Sequence, residues 1–88
     1  MATARNLTLA DVLIALRQRM VDARDAWNLE ALAELVTTFD LMSAAAAQYD
    51  DPRATEIIVS LDRATRSAIM DSKATGGPTA DEIKQALD

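Results

Sequence analysis

Glycine and proline, the residues that most often interrupt helices, are almost absent from this chain. Its 88 residues include two Gly and two Pro, and three of these four stand together at 76–78. Elsewhere, apolar side chains recur at the three- and four-residue spacing of an α-helix. The sequence therefore predicts an all-α fold, a small antiparallel bundle of three long helices plus a short C-terminal helix.

Capping residues predict where these helices begin. Three long helices are expected over about residues 9–26, 29–49 and 52–74. Thr8, Asn28 and Asp51 are suitable N-caps, and Pro52 suits a first helical position. No Gly or Pro enforces the first break, so one helix over 9–49 is the alternative. We favour a turn, because cap-type residues surround Trp27 there.

The sequence predicts one domain, whose last residues are a linker and a short helix. Residues 1–75 would make the helical bundle, and residues 76–88 a Gly-Gly-Pro linker followed by a short helix. Thr79 and Glu82 have the spacing of a capping box. A helix this short is marginal alone. It is therefore expected to be mobile or to become ordered against a partner.

Each long helix carries one apolar stripe that is expected to face the core. The first stripe comprises Leu9, Val12, Leu13, Leu16, Met20, Ala23 and Trp27. The second comprises Leu32, Leu35, Val36, Phe39, Met42, Ala46 and Tyr49. The third comprises Ala54, Ile57, Ile58, Leu61, Thr65 and Ala68.

The composition excludes most catalytic and metal-binding chemistry. The chain has no His and no Cys, so it lacks the commonest general base and the usual transition-metal ligands. Ser72 and Lys73 are adjacent and would point to different sides of a helix. The glycines at 76 and 77 match no phosphate-binding loop. We therefore expect a protein that is not an enzyme and that has no cofactor or metal.

Charge is concentrated in one part of the chain. Residues 28–51 contain five acidic and no basic residues, which accounts for the whole net charge of −5. The balanced remainder makes direct binding to nucleic-acid phosphates unlikely. No apolar segment approaches the ~20 residues of a membrane span, and the N-terminus does not resemble a signal peptide. We expect a cytoplasmic protein with no membrane contact.

A second apolar stripe on the third helix is the strongest functional signal. Val59, Arg63, Arg66 and Met70 step by four, three and four, so they share one side of that helix, opposite its core stripe. Apolar side chains mixed with Arg and Met are typical of protein interfaces. This pattern predicts a partner-binding surface.

Two further sets of residues lie outside the core stripes. Ile14, Arg17 and Val21 form a neighbouring stripe on the first helix, where the alternative is a wide core. Leu41 stands alone on the polar face of the second helix. We include both sets among the candidate partner-binding residues, because exposed apolar patches often mark binding sites.

Three hypotheses for function remain. The first is a non-catalytic protein-interaction module, a small helical adaptor, chaperone or inhibitor that binds another protein. The second is an acidic inhibitor, phage-encoded for example, whose Glu30, Glu34 and Asp40 block a basic nucleic-acid-binding surface of an enzyme. The alternative interpretation of that acidic face is a solvated surface. The third is self-assembly into a homodimer or larger helical oligomer.

Overall fold

Four helices form the part of the chain that the computed structural model describes, residues 8–70 and 76–87. They are α1 (Leu9–Asp25), α2 (Leu29–Gln48), α3 (Pro52–Met70) and α4 (Ala80–Leu87). The described residues contain no strand. The predicted all-α bundle of three long helices and a short fourth helix is confirmed. The predicted end of the third helix, near residue 74, lies outside the described residues.

Side-chain caps fix the starts of the long helices. The Thr8 hydroxyl accepts a hydrogen bond from the Asp11 backbone N–H at 3.1 Å, and the Asp11 carboxylate accepts one from the Thr8 N–H at 3.2 Å. Asn28 and Asp51 each accept one from the backbone N–H three residues on, at 3.1 Å. These bonds satisfy N–H groups that have no partner within the helix. The three predicted N-caps are confirmed.

Left-handed residues lie in the turns after α1 and α2. Trp27 has φ 55° and Asp50 has φ 56°, a conformation that a continuing helix does not allow. The predicted turn near Trp27 is therefore present, and residues 9–49 do not form one long helix. Trp27 is 51% exposed and Tyr49, the C-cap of α2, is 82% exposed. Their assignment to the core was wrong, because the helical period stops before both positions.

The core lies between α2 and α3 on one side and α1 and α4 on the other. The α2–α3 contact is the most extensive in the structure, and α4 packs mainly on α1. The completely buried large side chains are Leu13, Met20, Leu32, Phe39, Ile58, Leu61, Thr65 and Ile83. Small residues such as Ala54 and Ala68 are also fully buried. Their size allows α3 to approach its neighbours closely.

The short helix α4 belongs to the same core. Its Ile83 is 0% exposed, and the Thr79 hydroxyl caps it by accepting from the Glu82 N–H at 3.2 Å. The segment before it is held by Arg17, whose Nε donates to the Pro78 carbonyl. No helix in the described ranges has both the length and the apolar character to cross a bilayer.

Candidate interaction surface

One broad side of the α2–α3 pair is covered by no other helix of the described residues. The buried residues of α3 form its core-facing side, and Arg63, Arg66 and Met70 are exposed on the side away from them. We call this side the outer face. It comprises Val59, Arg63, Arg66 and Met70 of α3 with Ala33, Val36 and Asp40 of α2.

Met70 is the most prominent apolar side chain of the outer face. It is 87% exposed, whereas Val59, at the other end of the stripe, is half-buried. Arg63 and Arg66, between them, are exposed. The structure therefore places these four residues on one side of α3, as their spacing predicts, with Met70 the most accessible of them.

A groove runs beside Met70 between α2 and α3. Ala33 and Val36 line it from α2, and Arg66, Ile69 and Met70 line it from α3, around a volume of about 310 Å³. Val36 is half-buried there. Its assignment to the core stripe is therefore corrected, since it lies at the edge of that stripe and faces the groove. The groove is apolar except for the guanidinium of Arg66.

Arg66 connects the two helices of the outer face. Its Nη2 lies 3.0 Å from Oδ2 of Asp40 on α2, and its Nε lies 3.2 Å from Oδ2 of Asp62 on its own helix. An exposed ion pair of this kind contributes only about 0–1 kcal/mol to stability. Its main effect is to hold the Arg66 side chain along the groove.

The pKa of Asp62 reflects this cluster. Partial burial of the carboxylate raises its pKa above the ordinary value, and Arg66 lowers it by hydrogen bonding and charge without cancelling that effect. The nearby Asp40 carboxylate raises it further. The two carboxylates in turn hold the pKa of Arg66 above its ordinary value. With both acids ionised, the cluster carries one excess negative charge.

The predicted acidic face is divided by this ion pair. Asp40 is engaged with Arg66, whereas Glu30 and Glu34 are exposed and form no ion pair within the described part of the chain. Leu41, which follows Asp40, is 68% exposed. It does not line the groove beside Met70.

The candidate stripe of α1 is covered by the chain itself. Ile14 and Val21 pack partly buried against the core. A Cβ atom placed on Gly76 would lie 3.1 Å from Cγ2 of Val21, and Arg17 binds the Pro78 carbonyl. The covering segment is 61 residues away from Arg17 in sequence. Helical periodicity alone could not reveal it.

A second groove lies where α1 begins and α2 ends. Its volume is about 240 Å³, and it is lined by Leu9, Met42, Ala45, Ala46, Tyr49, Asp51 and Ile58. The sequence assigned Leu9, Met42 and Tyr49 to the core, yet Leu9 and Tyr49 are exposed. Both are terminal to their helices, where no further turn covers them. Their places at the ends of the predicted helices could have indicated from the sequence that both side chains are exposed.

The described residues contain no group of three or more acidic side chains that could hold a metal ion. The outer face contains an apolar groove, Arg66, which is held by its ion pairs, and the exposed Arg63. Comparison with protein-family models, curated proteins and solved structures found no match. Function must therefore be inferred from this geometry.

Proposed function

We propose that this chain is a non-catalytic protein-interaction module that binds another polypeptide through the outer face. The observation that carries the proposal is the apolar groove beside Met70, which no other helix within residues 8–70 and 76–87 covers. Small helical adaptors, chaperones and inhibitors share this general build, which is an analogy of fold alone.

The contacts of the groove suit a helix or an extended apolar segment. Ala33 and Val36 line the groove from α2, and Met70 lines it from α3. Met is adaptable in packing, and its complete burial would contribute about 1.5–3 kcal/mol. The ordered guanidinium of Arg66 and the exposed Arg63 would set the orientation of the partner.

The test is affinity capture from cells of the source organism with matched variants. Met70→Asp places a charge at the most exposed apolar position of the outer face. Ala15→Asp makes an apolar-to-acidic change at an exposed position of α1 and serves as the control. We expect Met70→Asp to lose the captured protein and Ala15→Asp to retain it. Equal capture by both, with unchanged circular dichroism, would refute this proposal.

A second candidate function rests on Glu30 and Glu34. These carboxylates have no basic partner in the described part of the chain, so they are available to a basic surface, such as the nucleic-acid-binding site of an enzyme. Binding of this kind weakens steeply with salt. Charge reversal by Glu30→Lys with Glu34→Lys would abolish it and leave Met70-dependent binding intact. If the salt-sensitive binding to the basic surface survives the reversal, the acidic-inhibitor mechanism is excluded.

A further inference from the structure

One apolar surface of the bundle is occupied by a later part of the same chain. Residues 76–87, which we call the docked segment, lie against both α1 and α3. A Cβ atom placed on Gly76 would lie 3.1 Å from Cγ2 of Val21 on α1, and one placed on Gly77 would lie 3.0 Å from Cβ of Ala64 on α3. We call the space between these two helices, which the docked segment fills, the α1–α3 cleft.

The docked segment runs antiparallel to α3 and shows which side chains the cleft accepts. Its start lies beside Ala64 of α3, whereas Gln85, near its end, shares a groove with Ile57, about two turns earlier on α3. Ile83 is completely buried, and Leu87, four residues later, packs partly buried against the core. Positions four apart share one face of a helix. The cleft therefore accepts an amphipathic helix with aliphatic side chains at positions i and i+4.

Arg17 fixes where the helix in the cleft begins. Its Nε donates a hydrogen bond to the Pro78 carbonyl, which directly precedes Thr79, the residue that caps α4. A carbonyl at this position accepts no hydrogen bond within the helix, so a capped helix of any sequence presents one. The apolar contacts of Ile83 and Leu87 therefore decide which helix fits, and Arg17 decides where it starts.

The docked segment is held less firmly than the long helices. The helix α4 has eight residues, a length at which an isolated helix is unstable. Within Ala80–Leu87, Ile83 is the one buried residue, whereas α3 has six. Elements with few buried apolar contacts open locally at a lower free energy than the core does. Among the described helices, α4 is therefore the one expected to open first.

We propose that the α1–α3 cleft is a binding site for an amphipathic helix of another polypeptide, and that the docked segment occupies it in the free chain. The incoming helix places aliphatic side chains where Ile83 and Leu87 lie, and it receives the hydrogen bond from Arg17. Val21, a predicted partner-binding residue, contacts that helix only after the docked segment has left. The cleft shares no residue with the outer face, so this inference goes beyond the proposed function and does not depend on it.

A fluorescent peptide with the sequence of residues 76–88 is the probe, because the same sequence fills the cleft within the chain. Ile83→Asp in the full chain removes the anchor of the docked segment and frees the cleft. With α4 open in about 1–10% of wild-type molecules, the wild type should bind the peptide about 10- to 100-fold more weakly than Ile83→Asp does. Ala15→Asp makes an apolar-to-acidic change at an exposed position of α1 and should bind as the wild type does. A peptide that itself carries Ile83→Asp should not bind.

Hydrogen exchange of the wild-type chain tests the proposal even if Ile83→Asp does not fold. The amides of α4 should exchange before those of α2 and α3, and an excess of unlabelled peptide should accelerate their exchange by displacing α4. Amides of α4 that exchange only together with those of α2 and α3 overturn the proposal, as does equal peptide affinity of the wild type and a folded Ile83→Asp chain. If sedimentation shows a wild-type dimer that Ile83→Asp abolishes, the occupant is α4 of a second copy, and the assignment to another polypeptide is wrong.

Discussion

The side chain of Ile83 attaches α4 to the bundle, so shortening it measures the strength of that attachment. Ile83 is 0% exposed, and Ile83→Ala removes three buried carbon atoms. At about 0.8 kcal/mol for each, the transfer loss is about 2.4 kcal/mol. The resulting cavity brings the expected loss of unfolding free energy to about 2–4 kcal/mol.

The loss has an upper limit set by α4 itself. A helix of eight residues is not stable in isolation, so α4 can detach when Ile83 no longer holds it. The cost of Ile83→Ala then cannot exceed the free energy that docks α4. Hydrogen exchange should become fast in α4 before it changes in α2 and α3.

Urea denaturation combined with amide hydrogen exchange measures both effects. Lys84→Ala is the control, because Lys84 is the exposed neighbour of Ile83, and we expect it to change stability by no more than about 0.5 kcal/mol. If Ile83→Ala costs less than about 1 kcal/mol while the amides of α4 remain protected, the reasoning about this contact is wrong.

Three further predictions concern single positions. Gly77 has φ 73°, and a Cβ atom there would lie 3.0 Å from Cβ of Ala64. Gly77→Ala should therefore lower the free energy of unfolding by about 1–2 kcal/mol. An unchanged melting temperature would contradict this. Asp51→Ala removes the cap on the Ala54 N–H and should cost about 1 kcal/mol, or about 4–8 °C in the melting temperature; a smaller shift would argue against the cap. Burial raises the pKa of Asp62 above 3.8. Between that value and the raised pKa, the folded state binds more protons than the unfolded state, so stability falls as pH rises through this window. Asp62→Asn should flatten this dependence, and an NMR titration giving a pKa of 3.8 or lower would exclude it.

The sequence was sufficient to predict the fold because local signals agreed with one another. The caps at Thr8, Asn28 and Asp51 depend on residues three positions away, and the helical period depends on neighbours within a turn. Both are visible along the chain. Trp27 and Tyr49 were misassigned because each continues an apolar stripe one step beyond its helix. Apolar character alone does not show where a backbone turns.

The candidate surface was only partly predictable, for a different reason. The spacing of Val59 and Met70 placed them opposite the core of α3, and the structure has them there. Contacts between distant segments left no local pattern. The Arg66–Asp40 pair joins positions 26 residues apart, and the coverage of Val21 by the segment around Gly76 depends on the path of the whole chain.

The packing of α4 on α1 also has a consequence for the order of folding. Neighbouring helices among α1, α2 and α3 are joined by short turns, so their contacts close small loops. The bond from Arg17 to Pro78 spans 61 residues and closes a much longer loop, which costs more entropy and forms more slowly. During synthesis, Val21 therefore lacks its cover until the segment around Gly76 has left the ribosome. Of the three long helices, α1 is therefore the one whose cover is completed from the far end of the described chain.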